Sequence, residues 1–302
     1  MIDWKSEFRS YANNLPAAWP ENRQNQVAKL DAFLATAAEK SGVNRDAVID
    51  QVIEVAAQRM ASRPLTVFLI SCGSSGSHWL EAMLAAFPDY VACGEVYLPR
   101  NLTKSTYAWD AASRSAFMDC VHLAHVPREK GSLVDSKLIN SAHLSGWIMS
   151  KLMQPPKARV LLLRNPVDIV ISRTFRKDDY RKFTLPGGTD DEYLNRNIDF
   201  VNAFYRKAAE SDADHVVKYE DLRASGVDTL DALLRSLGDE QALADITAVV
   251  ERHSAEAQAG GHGNARGKRL SNYYRGPKVD LPEGLHQKIR AGLTDAVTRL
   301  GY

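Results

Sequence analysis

Residues 65–80 of the chain read Leu65-Thr66-Val67-Phe68-Leu69-Ile70-Ser71-Cys72-Gly73-Ser74-Ser75-Gly76-Ser77-His78-Trp79-Leu80. The apolar, partly β-branched run that opens this stretch predicts a buried strand. A turn of small residues follows, and apolar residues then recur at helical spacing through residue 87. The pattern therefore predicts a strand, a small-residue turn and a helix in succession.

The predicted turn has the chemistry of an anion cradle. The first turn of a helix carries N–H groups without helical partners, and the positive end of the helix dipole points at the preceding loop. Gly73 and Gly76 permit positive φ angles and the close approach of a phosphate, while the hydroxyls of Ser75 and Ser77 add donors. The turn alone leaves one alternative open, an ordinary βα turn whose glycines serve only its geometry.

This turn differs from the phosphate loop of enzymes that bind nucleoside triphosphates. That loop needs Gly-x-x-x-x-Gly-Lys-Ser/Thr, whose lysine contacts the phosphates and whose hydroxyl contacts Mg²⁺. Here Ser77 and His78 follow Gly76, and no lysine comes after them in the turn. The sequence therefore disfavours a metal-dependent kinase, in which Asp135, at a predicted strand end, would be the metal ligand.

The composition is that of a globular protein without a strong charge field. The 302 residues are 45% hydrophobic and 25% charged, enough for one large α/β domain or two smaller ones. Lysine and arginine number 38 against 37 acidic residues, so the net charge of +1 predicts no nucleic-acid partner.

The sequence has no clear membrane span, signal peptide or cysteine pattern for a disulfide framework or a metal site. No apolar run approaches a membrane span, and the first residues lack the apolar core of a signal peptide. Cys72, Cys93 and Cys120 are too scattered for a disulfide framework or a zinc site, so we expect reduced, buried thiols in a cytoplasmic protein.

Helical and alternating patterns divide the chain into two parts. Residues 1–62 carry apolar side chains at three- and four-residue spacing and predict an N-terminal helical extension, with Asn44 as one N-cap. We expect these helices to pack on the core, to cover a substrate cleft or to join a homodimer. Residues 63–302 alternate strands with helices and predict a P-loop-like α/β domain, a parallel sheet flanked by helices.

Further elements of this domain are predicted from the same patterns. Strands after the first are predicted over residues 90–93, 132–137, 159–164 and 215–219. Residues 177–196 are predicted as a surface loop and 282–300 as one final helix. Ligands of such a sheet bind at the carboxyl ends of its strands.

A second strand-to-helix corner lies in the stretch Arg164-Asn165-Pro166-Val167-Asp168-Ile169-Val170-Ile171-Ser172-Arg173. Pro166 suits the first position of a helix. The guanidinium of Arg164 and the hydroxyl of Ser172 can meet one ligand edge if the ligand lies along this helix. A structural ion pair of Arg164 with Asp168 is the alternative. Late in the chain, Arg266, Gly267 and Lys268 form a basic loop able to fold over a phosphate.

In their order, these motifs resemble those of the sulfotransferases that use 3′-phosphoadenosine 5′-phosphosulfate (PAPS). The family's first motif, Pro-Lys/Arg-Ser-Gly-Thr/Ser-Thr-Trp/Leu, is similar to residues 73–79. Its second motif, Arg-x-Pro-x-Asp-x-x-x-Ser, is matched at each fixed position by Arg164, Pro166, Asp168 and Ser172. The segment Tyr219-Glu220-Asp221 resembles a third, and Arg266-Gly267 is similar to the family's basic glycine loop.

The resemblance implies a bacterial, cytoplasmic enzyme that transfers the sulfuryl group of PAPS to a hydroxyl of a glycan, a glycolipid or a small metabolite. The released product would be 3′,5′-ADP (PAP), and no metal is implied. In the family the first motif cradles the 5′-phosphosulfate, the second holds the 3′-phosphate, and Trp and Tyr lie at the adenine. The implied nucleotide-binding residues are Gly73, Ser74, Ser75, Gly76, Ser77, His78, Trp79, Arg164, Ser172, Tyr219, Arg266, Gly267 and Lys268.

Catalytic residues are also implied by the resemblance. Glu95 is the expected general base, because a Gly-Glu pair follows the phosphosulfate loop at this distance in a bacterial carbohydrate-type branch. His122 and His125 are alternative bases, since another branch uses a histidine. Lys137 occupies a place where related enzymes carry a lysine near the reacting sulfuryl group, and its pairing with Asp135 is the structural alternative.

Ser74 departs from the family pattern, which has lysine or arginine at this position. A preorganised donor to the leaving group is worth roughly 10²–10³ in rate. His78, Lys137 or a residue of the N-terminal helices could replace it. The alternative is a relative that binds PAP or PAPS without catalysis.

Overall fold

The computed structural model describes residues 2–15, 24–126, 133–175, 185–254 and 283–302. Its strands are β1 (Thr66–Ser71), β2 (Tyr90–Gly94), β3 (Lys137–Asn140), β4 (Lys157–Leu163) and β5 (His215–Lys218). Its helices are α1 (Trp4–Asn13), α2 (Gln24–Ser41), α3 (Arg45–Ser62), α4 (Ser77–Leu84), α5 (Arg100–Thr106), α6 (Ala111–Leu123), α7 (Ser145–Leu152), α8 (Pro166–Phe175), α9 (Asp190–Ala209), α10 (Tyr219–Ala224), α11 (Gly226–Ser236), α12 (Leu243–Arg252), α13 (Glu283–Gly292) and α14 (Asp295–Arg299).

The strands form a parallel sheet in the order β2-β3-β1-β4-β5, flanked by helices, which confirms the predicted α/β class. In the register, Thr66 of β1 and Val91 of β2 both lie opposite Leu138 of β3, and Val160 of β4 lies opposite His215 of β5. Strands β1 and β2 are buried along their whole length. Burial on both faces explains their near-continuous apolar sequences.

Two compact units make up the chain. The first comprises Met1–Leu69 and Glu81–Arg159, and the second comprises Ile70–Leu80 and Val160–Tyr302. The extension predicted over residues 1–62 lies within the first unit, and its status as a separate domain stays a prediction.

Helices α1 and α3 pack against α6 in the first unit, and α2 packs against α3. Phe8 and Tyr11 of α1 are buried, and their ring centres lie 6.1 and 6.0 Å from that of Phe117 in α6. Asn44 caps α3 as predicted, because its side chain accepts a hydrogen bond from the backbone N–H of Ala47 at 2.8 Å. Core packing is therefore the observed role of α1.

The strand predicted over residues 132–137 is wrong in its bounds, since β3 begins only at Lys137. The buried guanidinium of Arg59 in α3 explains the difference. Its Nη1 donates to the carbonyls of Leu133, Val134 and Ser136 at 2.7, 3.3 and 2.8 Å. These carbonyls therefore accept hydrogen bonds from a side chain and not from a neighbouring strand.

Two helix boundaries in the second unit also differ from prediction. Helix α9 begins at Asp190, inside the predicted loop 177–196, with a capping box formed by Thr189 and Glu192. These hydrogen bonds lower the pKa of Glu192. The predicted helix 282–300 is divided into α13 and α14, because Asn202 donates to the carbonyl of Gly292 at 2.8 Å and accepts from the N–H of Thr294 at 3.0 Å.

In the described ranges, none of the helices combines the length and the apolar character needed to cross a membrane. Cys72, Cys93 and Cys120 are buried and form no disulfide bond, as predicted.

Candidate active site

The loop between β1 and α4 is shaped to bind an anion. Ser74 and Gly76 have φ angles of +81° and +91°, on either side of Ser75. Positive φ at alternate positions turns successive backbone N–H groups toward one concave side, an arrangement that binds anions. The N–H of Ser75 donates to the carbonyl of Cys72 at 3.0 Å and closes the turn. The loop therefore has the positive φ angles that such a cradle uses, and anion binding stays a prediction.

Buried polar donors surround this loop. Among the residues that the structure describes, the hydroxyls of Ser74 and Ser75 and the Nε of Arg164 are buried without a hydrogen-bond partner. Leaving a buried donor unsatisfied costs about 1–3 kcal/mol, so three at one place need an explanation. Phosphate or sulfate groups, which accept several hydrogen bonds, would match these donors.

Arg164 joins the two predicted anion corners within the second unit. Its Nη1 donates to the carbonyl of Ser74 at 2.9 Å, and its guanidinium lies 4.4 Å from the centre of the Tyr219 ring. Asn165 caps the following helix by accepting from the N–H of Val167 at 3.0 Å. In the described part of the chain Arg164 makes no ion pair with Asp168, so the structural alternative is not observed.

Tyr219 packs directly on the anion loop. A Cβ on Gly76 would lie 2.7 Å from Cδ2 of the Tyr219 ring, so the ring fits only because residue 76 is glycine. The rings of Trp79 and Tyr219 are in an edge-to-face contact, with centroids 5.5 Å apart and an interplanar angle of 65°. The Trp79 indole N–H also donates to the carbonyl of His253 at 2.6 Å. Two half-buried aromatic rings therefore adjoin the cradle, where a nucleobase can stack.

Arg173 is a residue of this site that the sequence reasoning missed. Its side chain is 4% exposed, and its Nη1 lies 2.6 Å from the position of a Cβ on Gly73. Ser172, the predicted ligand, lies half-buried beside it on α8. The sequence pattern that could have identified Arg173 is helical spacing. It follows Ile169 by four residues and therefore lies on the same buried face of α8.

A second polar cluster in the first unit surrounds Glu95, directly after β2. Glu95 Oε1 lies 3.3 Å from Nε2 of His143, and Glu95 Oε2 accepts a hydrogen bond from the hydroxyl of Tyr97 at 3.2 Å. The side chains of His143 and Glu95 are 22% and 26% exposed, so both are accessible to a substrate. A carboxylate beside an imidazole has the chemistry of a proton acceptor with an orienting partner.

Asn140, the last residue of β3, builds the turn that presents His143. Its Oδ1 accepts from the N–H of Ala142 at 2.9 Å, and its Nδ2 donates to the carbonyl of Val96 at 3.3 Å. His143 itself has φ +51°, a left-handed conformation that is uncommon outside glycine. The sequence reasoning missed His143 because it ended the strand at Lys137, three residues before its true end.

Lys137 lies at the end of β3 opposite to the end near Glu95. It is the first residue of that strand and pairs with Tyr90, the first residue of β2, with its Nζ 5.1 Å from the Tyr90 ring centre. Glu95 follows the opposite end of β2. At about 3.3 Å per residue, the backbones of Lys137 and Glu95 are separated by about 16 Å along the ladder. The structure does not bring these two residues together.

The two alternative bases belong to the core of the first unit. His122 is fully buried, and burial lowers its pKa to about 3, with smaller contributions from the charges of His125 and Arg59. Asn140 Nδ2 lies 2.9 Å from its Nε2 and donates to it. His125 is 6% exposed, with Nδ1 2.8 Å from the carbonyl of Val121. Neither imidazole is placed to take a proton from a substrate.

The structure describes His78 and Asp135 but not the predicted basic loop. His78 is half-buried at the second residue of α4. Arg266, Gly267 and Lys268 lie outside the described residues. Asp135 is exposed and precedes β3, and the described ranges contain no group of three or more His, Cys, Asp or Glu side chains arranged around a metal position.

Comparison with known families identifies the class of protein. The sulfotransferase domain family matches residues 64–257, well over half of the chain. The chain therefore belongs to the sulfotransferase domain family.

Three solved structures are similar to this chain. The sulfotransferase domain from the curacin biosynthetic pathway is 14% identical, with 76% of this chain and 96% of that chain covered and a TM-score of 0.43. Mouse sulfotransferase SULT7A1 complexed with PAP is 14% identical, with 77% of each chain covered and a TM-score of 0.45. The sulfotransferase domain from the Synechococcus PCC 7002 olefin synthase is 16% identical, with coverage of 79% and 95% and a TM-score of 0.38. None of the curated proteins compared matches the chain.

Proposed function

We propose that this chain is a PAPS-dependent sulfotransferase whose acceptor is a hydroxyl group of a glycan, a glycolipid or a small metabolite. The observation that carries the proposal is the hydrogen bond from Arg164 to the carbonyl of Ser74, which joins the two anion corners. Membership of the sulfotransferase domain family supports the same reaction class. Bacterial origin, cytoplasmic location and homodimerisation stay predictions.

The loop and α8 provide the groups that PAPS requires. The backbone N–H groups of residues 73, 74, 76 and 77 and the hydroxyls of Ser74 and Ser75 would hold its 5′ end, since these hydroxyls are unsatisfied buried donors and the N–H of Ser75 already donates to the carbonyl of Cys72. Arg164 and Ser172 would hold the 3′-phosphate, with Arg266, Gly267 and Lys268 completing that side. Trp79 and Tyr219 would flank the adenine. PAPS, when bound, supplies the activated sulfuryl group and leaves as PAP.

Glu95 accepts the proton of the acceptor hydroxyl in this proposal. The hydrogen bond from Tyr97 and the neighbouring Nε2 of His143 fix the two carboxylate oxygens at 3.2 and 3.3 Å from their partners. A general base held in this way is oriented before the acceptor binds, which reduces the entropic cost of reaching the reactive geometry. Lys137 is not part of the proposed mechanism, because it lies at the opposite end of β3.

Nucleotide binding and sulfate transfer test the proposal together. Calorimetry is expected to detect binding of PAP without Mg²⁺, and labelled sulfate is expected to pass from PAPS to one member of an acceptor panel. Absence of PAP binding at millimolar excess would overturn the proposal. Binding of PAP without any transfer would favour a nucleotide-binding relative, for which the serine at position 74 is the supporting feature.

Substitution of Glu95 by glutamine tests the base. The variant keeps a hydrogen-bond partner for Tyr97 but cannot take a proton, so we expect kcat to fall about 10²–10⁴-fold with PAP affinity unchanged. Asp135→Asn, which removes an exposed carboxylate from the same unit, is the matched control and is expected to retain full activity. Undiminished transfer by Glu95→Gln would remove Glu95 from the role.

A further inference from the structure

The anion loop carries no lysine or arginine of its own. Residues 73–79 contain only glycine, serine, histidine and tryptophan, although the ligand proposed for this loop is a multiply charged anion. Charge-assisted hydrogen bonds are roughly twice as strong as neutral ones, so a cation at such a site has a large effect on affinity. Two arginines approach the loop from β4 and α8 within the second unit, and they do so in different ways.

Arg164 contacts the loop at Ser74, where its Nη1 donates to the backbone carbonyl. Arg173, on α8, approaches the loop at Gly73. Its Nη1 is 2.6 Å from the position that a Cβ on Gly73 would occupy, so only a residue without a side chain leaves room for this guanidinium. The absence of a side chain at residue 73 therefore allows the guanidinium of Arg173 to approach the loop.

Two residues of α9 contact the guanidinium of Arg173 and contribute to its orientation. Its Nε donates to Oδ1 of Asn197 at 3.1 Å, and its guanidinium carbon lies 4.1 Å from the centre of the Phe200 ring. With its Nε and one face engaged, the planar group keeps its Nη1 edge directed at the loop. The side chain is 4% exposed, and a charge in such a setting interacts more strongly with a neighbouring anion than a charge in water does.

We propose that Arg173 supplies the positive charge of the anion loop and stabilises the phosphate at the 5′ end of the bound nucleotide. Its charge acts across the backbone of Gly73, where no side chain separates the guanidinium from the loop. This inference rests on the proposed function, since the ligand is the same nucleotide. It assigns Arg173 to one end of that nucleotide, the end held by residues 73–77.

Nucleotides with and without the 5′-phosphate test this assignment. Calorimetry on the full chain would compare 3′,5′-ADP with adenosine 3′-monophosphate, which lacks only the 5′-phosphate. Arg173→Met is expected to bind 3′,5′-ADP roughly tenfold or more weakly at low salt, with the affinity for adenosine 3′-monophosphate changed less than about threefold. Arg173→Lys is expected to recover part of the loss, because it keeps the charge.

The matched control is Arg59→Met, which removes another buried arginine, 1% exposed, from the first unit. It is expected to lower the melting temperature without changing the ratio of the two affinities. An unchanged ratio in Arg173→Met, with 3′,5′-ADP binding normal in the wild type, would overturn the inference and leave the proposed function intact. Failure of the wild type to bind 3′,5′-ADP would instead overturn the proposed function.

A second variant keeps the test decisive if Arg173→Met does not fold. Gly73→Ala retains the arginine but places a Cβ where the guanidinium now lies, so the charge must move away from the loop. The same selective loss of 3′,5′-ADP affinity is expected. A folded Gly73→Ala protein with an unchanged affinity ratio would overturn the inference.

Discussion

Gly76 meets two separate requirements of the anion loop. Its φ of +91° lies in a region that residues with a Cβ rarely adopt, and a Cβ would also lie 2.7 Å from the Tyr219 ring. The first requirement concerns the backbone alone, and the second concerns packing against a residue far away in the chain. The two effects can be separated by comparison with a glycine that meets only the first.

Gly238 is that comparison, since its φ is +80° and nothing lies within 4 Å of the position of its Cβ. We expect Gly238→Ala to lower the free energy of unfolding by about 1–2 kcal/mol, the cost of a left-handed conformation. Gly76→Ala is expected to cost several kcal/mol, because the ring clash adds to the backbone strain. Urea unfolding of both variants measures the difference, and equal losses would contradict the packing argument.

Ser74 shows how a strained residue arises from tertiary contacts. Its φ of +81° costs of order 1–3 kcal/mol in a residue other than glycine. The hydrogen bond from Arg164 to its carbonyl is one of the contacts that hold it there. The motif could indicate a turn at this position, but not which of its residues would be left-handed.

Helix α4 braces the ends of two strands through one carboxylate. Glu81 is 5% exposed, and its Oε1 accepts from the N–H of Gly94 at 2.7 Å while its Oε2 accepts from the hydroxyl of Ser141 at 3.3 Å. Gly94 immediately precedes Glu95, and Ser141 begins the turn that carries His143. Glu81 therefore supports both members of the proposed proton-accepting pair from one helix.

Removal of this brace is expected to affect stability and activity together. Glu81→Ala leaves a buried backbone N–H unsatisfied, so the free energy of unfolding should fall by about 1–3 kcal/mol, and kcat should fall as Glu95 loses its support. Chemical denaturation and sulfate transfer measure the two effects. Glu54→Ala, an exposed glutamate of α3, is the control and should change stability by no more than about 0.5 kcal/mol. A Glu81→Ala protein as stable and active as this control would contradict the bracing role.

The starts of α9 and β3 differ in whether the local sequence predicts them. The capping box of Thr189 and Glu192 is visible as Thr-x-x-Glu in the sequence and could have given the start of α9 directly. The start of β3 could not be read in this way. Its apolar approach at Leu133 and Val134 looks like a strand, but the side chain of Arg59 donates to both carbonyls, and the hydroxyl of Ser62 also donates to that of Val134 at 3.5 Å.

Two buried groups of the first unit have opposite effects on the pH dependence of stability. Burial raises the pKa of Asp119 to about 6, although Arg59 lies 3.4 Å away and partly offsets the shift. Because the folded state holds this proton more tightly than the unfolded state, the contribution of Asp119 to the free energy of unfolding falls as the pH rises from about 4 to 6. His122, with its pKa lowered to about 3, contributes stability that is present above about 6.5 and lost as pH falls toward 3.

A variant without the buried imidazole isolates the second effect. Between pH 6.5 and 4, the wild type is expected to lose roughly 3 kcal/mol of unfolding free energy more than His122→Gln loses, because only the wild type must keep a histidine neutral there. The Asp119 contribution is common to both proteins and cancels in the comparison. Urea unfolding at several pH values measures it, and parallel pH profiles would show that His122 is not buried in the neutral form.

The sequence by itself determined the α/β class, the two strand-to-helix corners and the N-cap at Asn44. These features depend on periodicity, turn chemistry and capping, which are properties of neighbouring residues. Only the tertiary structure decided that Arg164 meets Ser74, that Arg173 lies against Gly73 and that His143 pairs with Glu95. Each of these contacts joins residues far apart in the chain, and their approach depends on how buried helices and strands pack, which no local pattern encodes.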